Sequence, residues 1–199
     1  MKHLLWVSLL ALAGCASQPT VKSWLDPVSS ATITAQIEPL VLNRVEPKND
    51  FDARDYAQLS AVEVNRMGDR RLYLVAILWT SGDLAQMRPH DFSSNFSQVE
   101  LSLGERSVSL ERYTGKIEDL GIANGPLPLP IPGSQHLYFP IERADLRALA
   151  QANRVKLTAV GVPDAPQGYE EWNESRRGLA DFVSQLPPES AFNAVAKDL

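Results

Sequence analysis

Apolar and polar residues alternate along most of this chain with the two-residue period of a strand that buries one face. Ala31, Ile33, Ala35 and Ile37 alternate with Thr32, Thr34, Gln36 and Glu38, which predicts a half-buried strand with the polar set facing outward. Beyond Pro39 the apolar phase moves to Leu40 and Leu42. Because proline cannot donate to a ladder, the shift predicts a bulge or a strand that changes partner at a sheet edge. A polar loop follows at Glu46-Pro47-Lys48-Asn49-Asp50, and residues 57–65 and 71–80 then read as a hairpin around Met67-Gly68-Asp69. Gly68 supplies the positive φ that such a turn needs. The second arm, Leu72 to Trp79, has almost no polar face, which predicts a central strand covered on both sides.

After Ser81-Gly82-Asp83 a polar stretch runs to near Asn95. Val99, Leu101 and Leu103 then alternate with Gln98, Glu100 and Ser102, and a hairpin at Gly104-Glu105 returns through Val108 and Leu110. Residues 115–133 are rich in Gly and Pro, and the alternating prolines of Gly125 to Gly133 exclude both helix and ladder interior. His136 to Ile141 reads as a strand. Glu142 to Gln151 switches to helical spacing, with its acids near the start, as the helix dipole favours. Val155, Leu157 and Ala159 resume strand spacing. Leu179, Phe182, Val183 and Leu186 then form the apolar stripe of a helix over 175–186, which Pro187-Pro188 stops. The expected fold is mainly β: an antiparallel β-sandwich, with immunoglobulin-like topology one option, carrying one short crossover helix and one C-terminal helix. The helix at the end is expected to cap a sheet edge or one end of the sandwich.

The N-terminus follows a different pattern. Met1-Lys2-His3 precedes an apolar stretch from Leu4 to Ala13, and Leu12-Ala13-Gly14 leads to Cys15, the one cysteine of the chain. A positive start, a short apolar core and small residues before a break are the layout of a secretory signal, too short to span a bilayer. Leu12-Ala13-Gly14-Cys15 resembles the lipobox of bacterial lipoprotein precursors. The resemblance covers residues 1–15 alone. It implies cleavage before Cys15, a diacylglycerol thioether on that sulfur and an amide-linked acyl chain on its amino group. Ala16 is not the Asp that resembles an inner-membrane retention signal, so the expected location is the periplasmic face of the outer membrane, or the cell membrane in an organism with one membrane. The domain organisation reads as a signal peptide at 1–14, a lipidated N-terminus and short tether at 15–27, a sandwich-like domain at 28–186 and a tail at 187–199. Within the tether, Val21 to Pro27 reads either as spacer or as the first packed residues.

Composition adds exclusions. Losing Lys2 with the signal takes the 19 basic residues to 18 against 24 acidic, a formal charge of −6, which disfavours nucleic acid as a partner. The chain has no Gly-x-Ser-x-Gly, phosphate loop, His-Glu-x-x-His or calcium loop. His90 and His136 have no partner at ligand spacing, and Asp50, Asp52 and Asp55 match no coordinating template, so no metal or cofactor is expected. Asn95-Phe96-Ser97 and Asn173-Glu174-Ser175 fit a glycosylation sequon that a bacterial lipoprotein would ordinarily leave bare.

Two segments suggest a partner contact. Leu127, Leu129 and Ile131 stand on the rigid Pro-rich loop, where they either dock a partner or pack on the domain's own core. Tyr169 and Trp172 lie among Glu170, Glu171 and Glu174, a grouping of acids and aromatics that suits basic or sugar ligands, or else a solvated lead into the last helix. The expected function is a non-catalytic binding or envelope-assembly role, its partners being the lipid bilayer through acylated Cys15 and an envelope protein. The alternatives are a component of a secretion or transport machine and a periplasmic glycan hydrolase that uses carboxylates such as Asp83, Asp91 or Glu118. Cys15→Ala is expected to abolish membrane retention on fractionation; retention without acylation would contradict the anchor.

Overall fold

A computed structural model describes residues 19–45, 54–80, 96–132, 134–161, 168–172 and 176–188. Ten strands among them form one antiparallel sheet. In chain order these are β1 (Val21–Leu25), β2 (Thr32–Gln36), β3 (Leu40–Val45), β4 (Arg54–Arg66), β5 (Asp69–Thr80), β6 (Gln98–Leu103), β7 (Arg106–Glu111), β8 (Gln135–Pro140), β9 (Lys156–Ala159) and β10 (Tyr169–Glu171). Helix α1 (Arg143–Gln151) joins β8 to β9, and helix α2 (Arg177–Gln185) follows β10. The sheet runs β1-β2-β4-β3-β10-β9-β6-β7, with β5 on the other side of β4 and β8 beyond β5. It curls into a half-barrel. At the seam, Tyr113, just past β7, donates its backbone N–H to the carbonyl of Tyr138 in β8 at 2.8 Å. The expectation of a mainly β, antiparallel domain with two helices therefore holds, while the strands join as one continuous sheet.

The curl begins where β4 changes partner. The first part of β4 pairs with β3, ending at Leu59 opposite Leu40, and the last part pairs with β2 from Val62 opposite Ala35. Ser60 and Ala61 sit between the two partners. There the side chain of Gln36, fully buried, fills the gap: its Oε1 accepts the N–H of Ala61 at 3.0 Å and its Nε2 donates to the carbonyl of Glu38 at 2.6 Å. The phase shift at Pro39 is thus a change of register along one edge of β4. Gln36, which alternation places outward, is instead internal because the gap leaves a backbone donor that only a polar side chain can satisfy.

Both faces of the middle of the sheet are covered. Leu40, Leu42, Leu59, Leu74, Leu101, Phe139 and Leu157 pack inside the curl against Leu146 and Leu149 of α1 and Leu179 and Phe182 of α2. On the convex side, Ile33, Val62, Val64, Tyr73, Val75 and Tyr138 are roofed by Leu120, Ile122 and Leu127 from the loop after β7. β5 thus buries Leu74 and Ala76 on one face and Tyr73 and Val75 on the other, as its continuous apolar run predicts. The β4–β5 hairpin closes on Met67 (φ 53) and Gly68 (φ 95), positive at both central positions as a type I′ turn requires. Val21–Leu25, left open by the sequence, pairs along its whole length with β2.

α2 docks on the gap in β4's partners. Thr20 is held there as well: its carbonyl accepts the N–H of Ile37 at 2.7 Å and its hydroxyl donates to Asp181 at 2.6 Å. At the far end of the helix, Arg143 donates to the carbonyls of Leu186, at 3.1 Å, and of Pro187, covering acceptors that a helix end leaves unpaired. Gly178 allows the close approach, since a Cβ at that position would lie 2.5 Å from the Glu38 carbonyl oxygen and 3.0 Å from its Cβ. In an open helix Gly→Ala stabilises by roughly 1 kcal/mol. Here the sign reverses, because the obstructing atom is backbone. Gly178→Ala is expected to destabilise the domain by about 1–3 kcal/mol, read as a lowered Tm on thermal denaturation; a raised Tm would contradict this packing.

Candidate functional site

The most distinctive surface lies where β4 and β3 pair, at the Arg54 end of β4. The hairpin register sets Tyr56 opposite Trp79, and the two rings stack at 4.2 Å with 16° between their planes. Trp172, just past β10, is held by its backbone N–H on the carbonyl of Val41 at 2.9 Å. Its ring meets Tyr56 edge-on at 6.2 Å, and the Arg54 guanidinium lies 4.6 Å from the ring centre. Trp172 is 53% exposed. The indole N–H of Trp79 has no hydrogen-bond acceptor among the described residues. Stacked aromatic faces beside a guanidinium offer flat apolar surface, cation–π attraction and charged donors in one place.

On the concave face the same strands make a largely buried pair. Arg44 of β3 binds Asp55 of β4 at 2.8 Å, and its guanidinium lies 4.5 Å over the ring of Tyr169. Tyr169 in turn packs against Phe96 at 6.1 Å. This layer ties β3, β4 and β10 together beneath the aromatic cluster of Tyr56, Trp79 and Trp172. Asp55, grouped by sequence with Asp50 and Asp52 in a polar loop, is thus a buried strand residue paired with Arg44. Asp50 and Asp52 lie outside the described residues.

β10 also borders a polar cleft of about 910 Å³, with Ser102, Asn153, Arg154, Lys156, Glu170, Glu171 and Arg176 in its walls. Arg176 makes a bidentate pair with Glu171, and Lys156 meets Glu170 at 3.5 Å. The cleft therefore offers both signs of charge, most of it already paired within the protein. No group of three His, Cys, Asp or Glu residues able to hold a metal ion occurs among the described residues.

The candidate contact residues divide. Leu127 is 8% exposed and Tyr169 1%, so both are core residues and unavailable to a partner. Leu129 is 44% exposed and Ile131 half-buried. Both precede Gln135, which faces Leu78 next to Trp79 in β5, so they stand toward the same end of the sheet as Trp172. Glu118 lies exposed in a short 3-10 turn (Ile117–Leu120). Cys15, Asp83, His90, Asp91 and Glu174 lie outside the described residues, as do both sequon asparagines. Sequence reading missed Arg54, Tyr56 and Trp79 as a group. The signal is present, because a two-residue turn at Met67-Gly68 fixes Tyr56 opposite Trp79, but the apolar pattern marks the strand only from residue 57, whereas β4 starts at Arg54. β10 was also missed, since a three-residue strand carries too little alternation to detect.

Comparison with protein-family models, with curated proteins and with solved structures returned no match. Among the described residues, no helix is long and apolar enough to cross a membrane.

His136 stiffens the Pro-rich loop beside this end. Its Nε2–H donates to the carbonyl of Leu127 at 2.8 Å, the tautomer following from the carbonyl being an acceptor only. A Cβ on Gly125 would fall 2.3 Å from the ring, so the loop backbone lies directly against it. Burial pushes the imidazole pKa below the ordinary 6.5, partly offset by the bond to Leu127. The unfolded chain then binds the proton more readily, so stability is full above the unfolded value and falls as pH drops through it. Acidification from about pH 7.5 to about pH 5.5 is expected to lower the Tm, and His136→Gln to shrink that loss. An identical pH dependence in the variant would contradict the assignment.

Proposed function

We propose that this chain is an extracytoplasmic lipoprotein, held by acylated Cys15 at the periplasmic face of the outer membrane, whose domain binds an envelope component without catalysis. The observation that carries the binding role is the cluster of exposed Trp172 with half-buried Tyr56, Trp79 and Arg54, set on paired strands over the Arg44–Asp55 layer. Rigid strands place these groups, and rigid placement lowers the entropy lost on binding. The arms of the curled sheet face each other across one core and act, in this reading, as the layers of a β-sandwich.

The anchor rests on the lipobox-like motif, and the start of the described fold sets how far the domain can stand from it. Thr20 is already hydrogen-bonded into the domain, so the residues from Ala16 to Thr20 give a reach of at most about 18 Å. A domain so tethered stays next to the lipid headgroups and meets partners that share its membrane or lie just above it. Leu129 and Ile131 extend the contact toward an envelope protein.

Crosslinking on native membranes followed by affinity purification tests the role. The wild-type chain is expected to recover a stoichiometric partner that Trp172→Ala loses while keeping its Tm. Recovery of the same partner by both would move the binding site away from the aromatic cluster.

A further inference from the structure

β1 pairs with β2 alone, so one of its long edges has no strand partner among the described residues. The ladder decides which backbone groups lie on that edge. Ile37 donates its N–H to the carbonyl of Thr20 at 2.7 Å and Asp26 donates to the carbonyl of Ala31 at 2.8 Å. Between these bonds, Lys22 stands opposite Ala35 and Trp24 opposite Ile33. In an antiparallel pair every second residue turns its N–H and C=O toward the partner strand. Lys22 and Trp24 therefore bond to β2, and Val21, Ser23 and Leu25 direct their backbone groups outward.

Both ends of the edge are fixed. Thr20 is bonded to Ile37 and to Asp181. Beyond the other end, Asp26 is buried, and its carboxylate accepts the backbone N–H groups of Val28, Ser29 and Ala123 at 2.9, 3.0 and 2.9 Å. A strand already ordered in this way loses little entropy when another strand pairs with it. Sheet edges ordinarily discourage pairing with charge or proline inside the strand. β1 has no proline and one charge, exposed Lys22, which makes no ion pair among the described residues. Leu25 on the same strand is 64% exposed.

The prolines lie just outside, and they are symmetric. Pro19 and Pro27 are equally far from Ser23, and both fall at positions whose N–H the alternation would turn outward, where proline has none. The usable edge is thus Val21, Ser23 and Leu25, centred on Ser23. Turned antiparallel about a two-fold axis at Ser23, the strand complements itself. Val21 meets Leu25 of the second copy on the concave face, Lys22 meets Trp24 on the convex face, and Ser23 meets Ser23. Leu25 leaves water, and each ammonium faces an indole. The Ser23 hydroxyl, shared with Thr34 at 2.8 Å, retains capacity for a further bond. The outward groups close about six ladder hydrogen bonds. Other registers forfeit this. A slip of one residue sets outward groups against inward ones. A slip of two sets Lys22 against Lys22 and Leu25 against Pro19, or, in the other direction, Trp24 against Trp24 and Val21 against Pro27.

We propose that the chain forms a homodimer in which the β1 strands of two copies pair antiparallel about Ser23 and join their sheets into one. The contact is short, so the association is weak and depends on concentration. It is independent of the aromatic cluster and of Cys15.

The full chain in detergent provides the test. Sedimentation equilibrium is expected to show the protein mass rising from one copy to two as concentration increases. Hydrogen exchange locates the contact. The amides of Val21, Ser23 and Leu25 are expected to exchange severalfold more slowly in concentrated than in dilute protein, while those of Lys22 and Trp24, already bonded to β2, keep one rate. Ser23→Pro removes the N–H at the axis and spares the β2 ladder, so it is expected to stay monomeric at every concentration. Leu25→Lys, at an exposed position, is expected to weaken the dimer severalfold. A wild-type chain that remains monomeric when concentrated would overturn the proposal, and so would a dimer whose Val21, Ser23 and Leu25 amides keep their dilute rates. A dimer that Leu25→Lys leaves undiminished would place the contact elsewhere and overturn it as well.

Discussion

The domain is organised around one polar side chain that takes the place of a strand. β4 is longer than either of its neighbours on one edge, so β3 and β2 share that edge and leave the N–H of Ala61 between them. An unsatisfied buried amide costs about 1–3 kcal/mol. Gln36 removes the cost by accepting that N–H, while its own amide donates to Glu38. An apolar residue of the same shape would fill the space and leave the donor stranded.

Much else is arranged on this junction. The sheet turns there, one arm continuing through β3 and β10 to β9 and the other through β2 to β1. α2 lies over it because Gly178 lets the helix touch the backbone of Glu38. Thr20 and Asp181 bind the first described residues to the last helix at the same place. The junction also keeps β4 unbroken between two unlike ends, with Arg54, Tyr56 and Trp172 at one and Met67, Leu25 and Val28 at the other. A strand bonded on both edges is stiffer than any loop connection.

The strands whose burial alternates were legible in the sequence: Ile33 and Ala35 in β2 with Ala31 just before it, Val99, Leu101 and Leu103 in β6, and the doubly covered Leu72 to Leu78 of β5 are all internal. Gln36 was not legible, because its burial depends on a gap created by the length of a different strand. Tyr169 and Glu171 were not legible as β10, since a strand so short is defined by the edges of β3 and β9 on either side. The candidate site shows the same limit. Trp172 stood out by composition, but its neighbours come from strands far away in the chain. The Pro-rich loop divides because its path, fixed by the His136–Leu127 bond, turns Leu127 inward and leaves Leu129 outside.

Hydrogen exchange at the amide of Ala61 tests the role of Gln36 most directly. If the side chain closes the sheet as described, that amide is as strongly protected as those of the neighbouring ladder residues, and Gln36→Met selectively abolishes its protection while lowering the Tm. An Ala61 amide that exchanges as fast in the wild type as the exposed backbone around Met67, or that stays protected in Gln36→Met, would contradict the account.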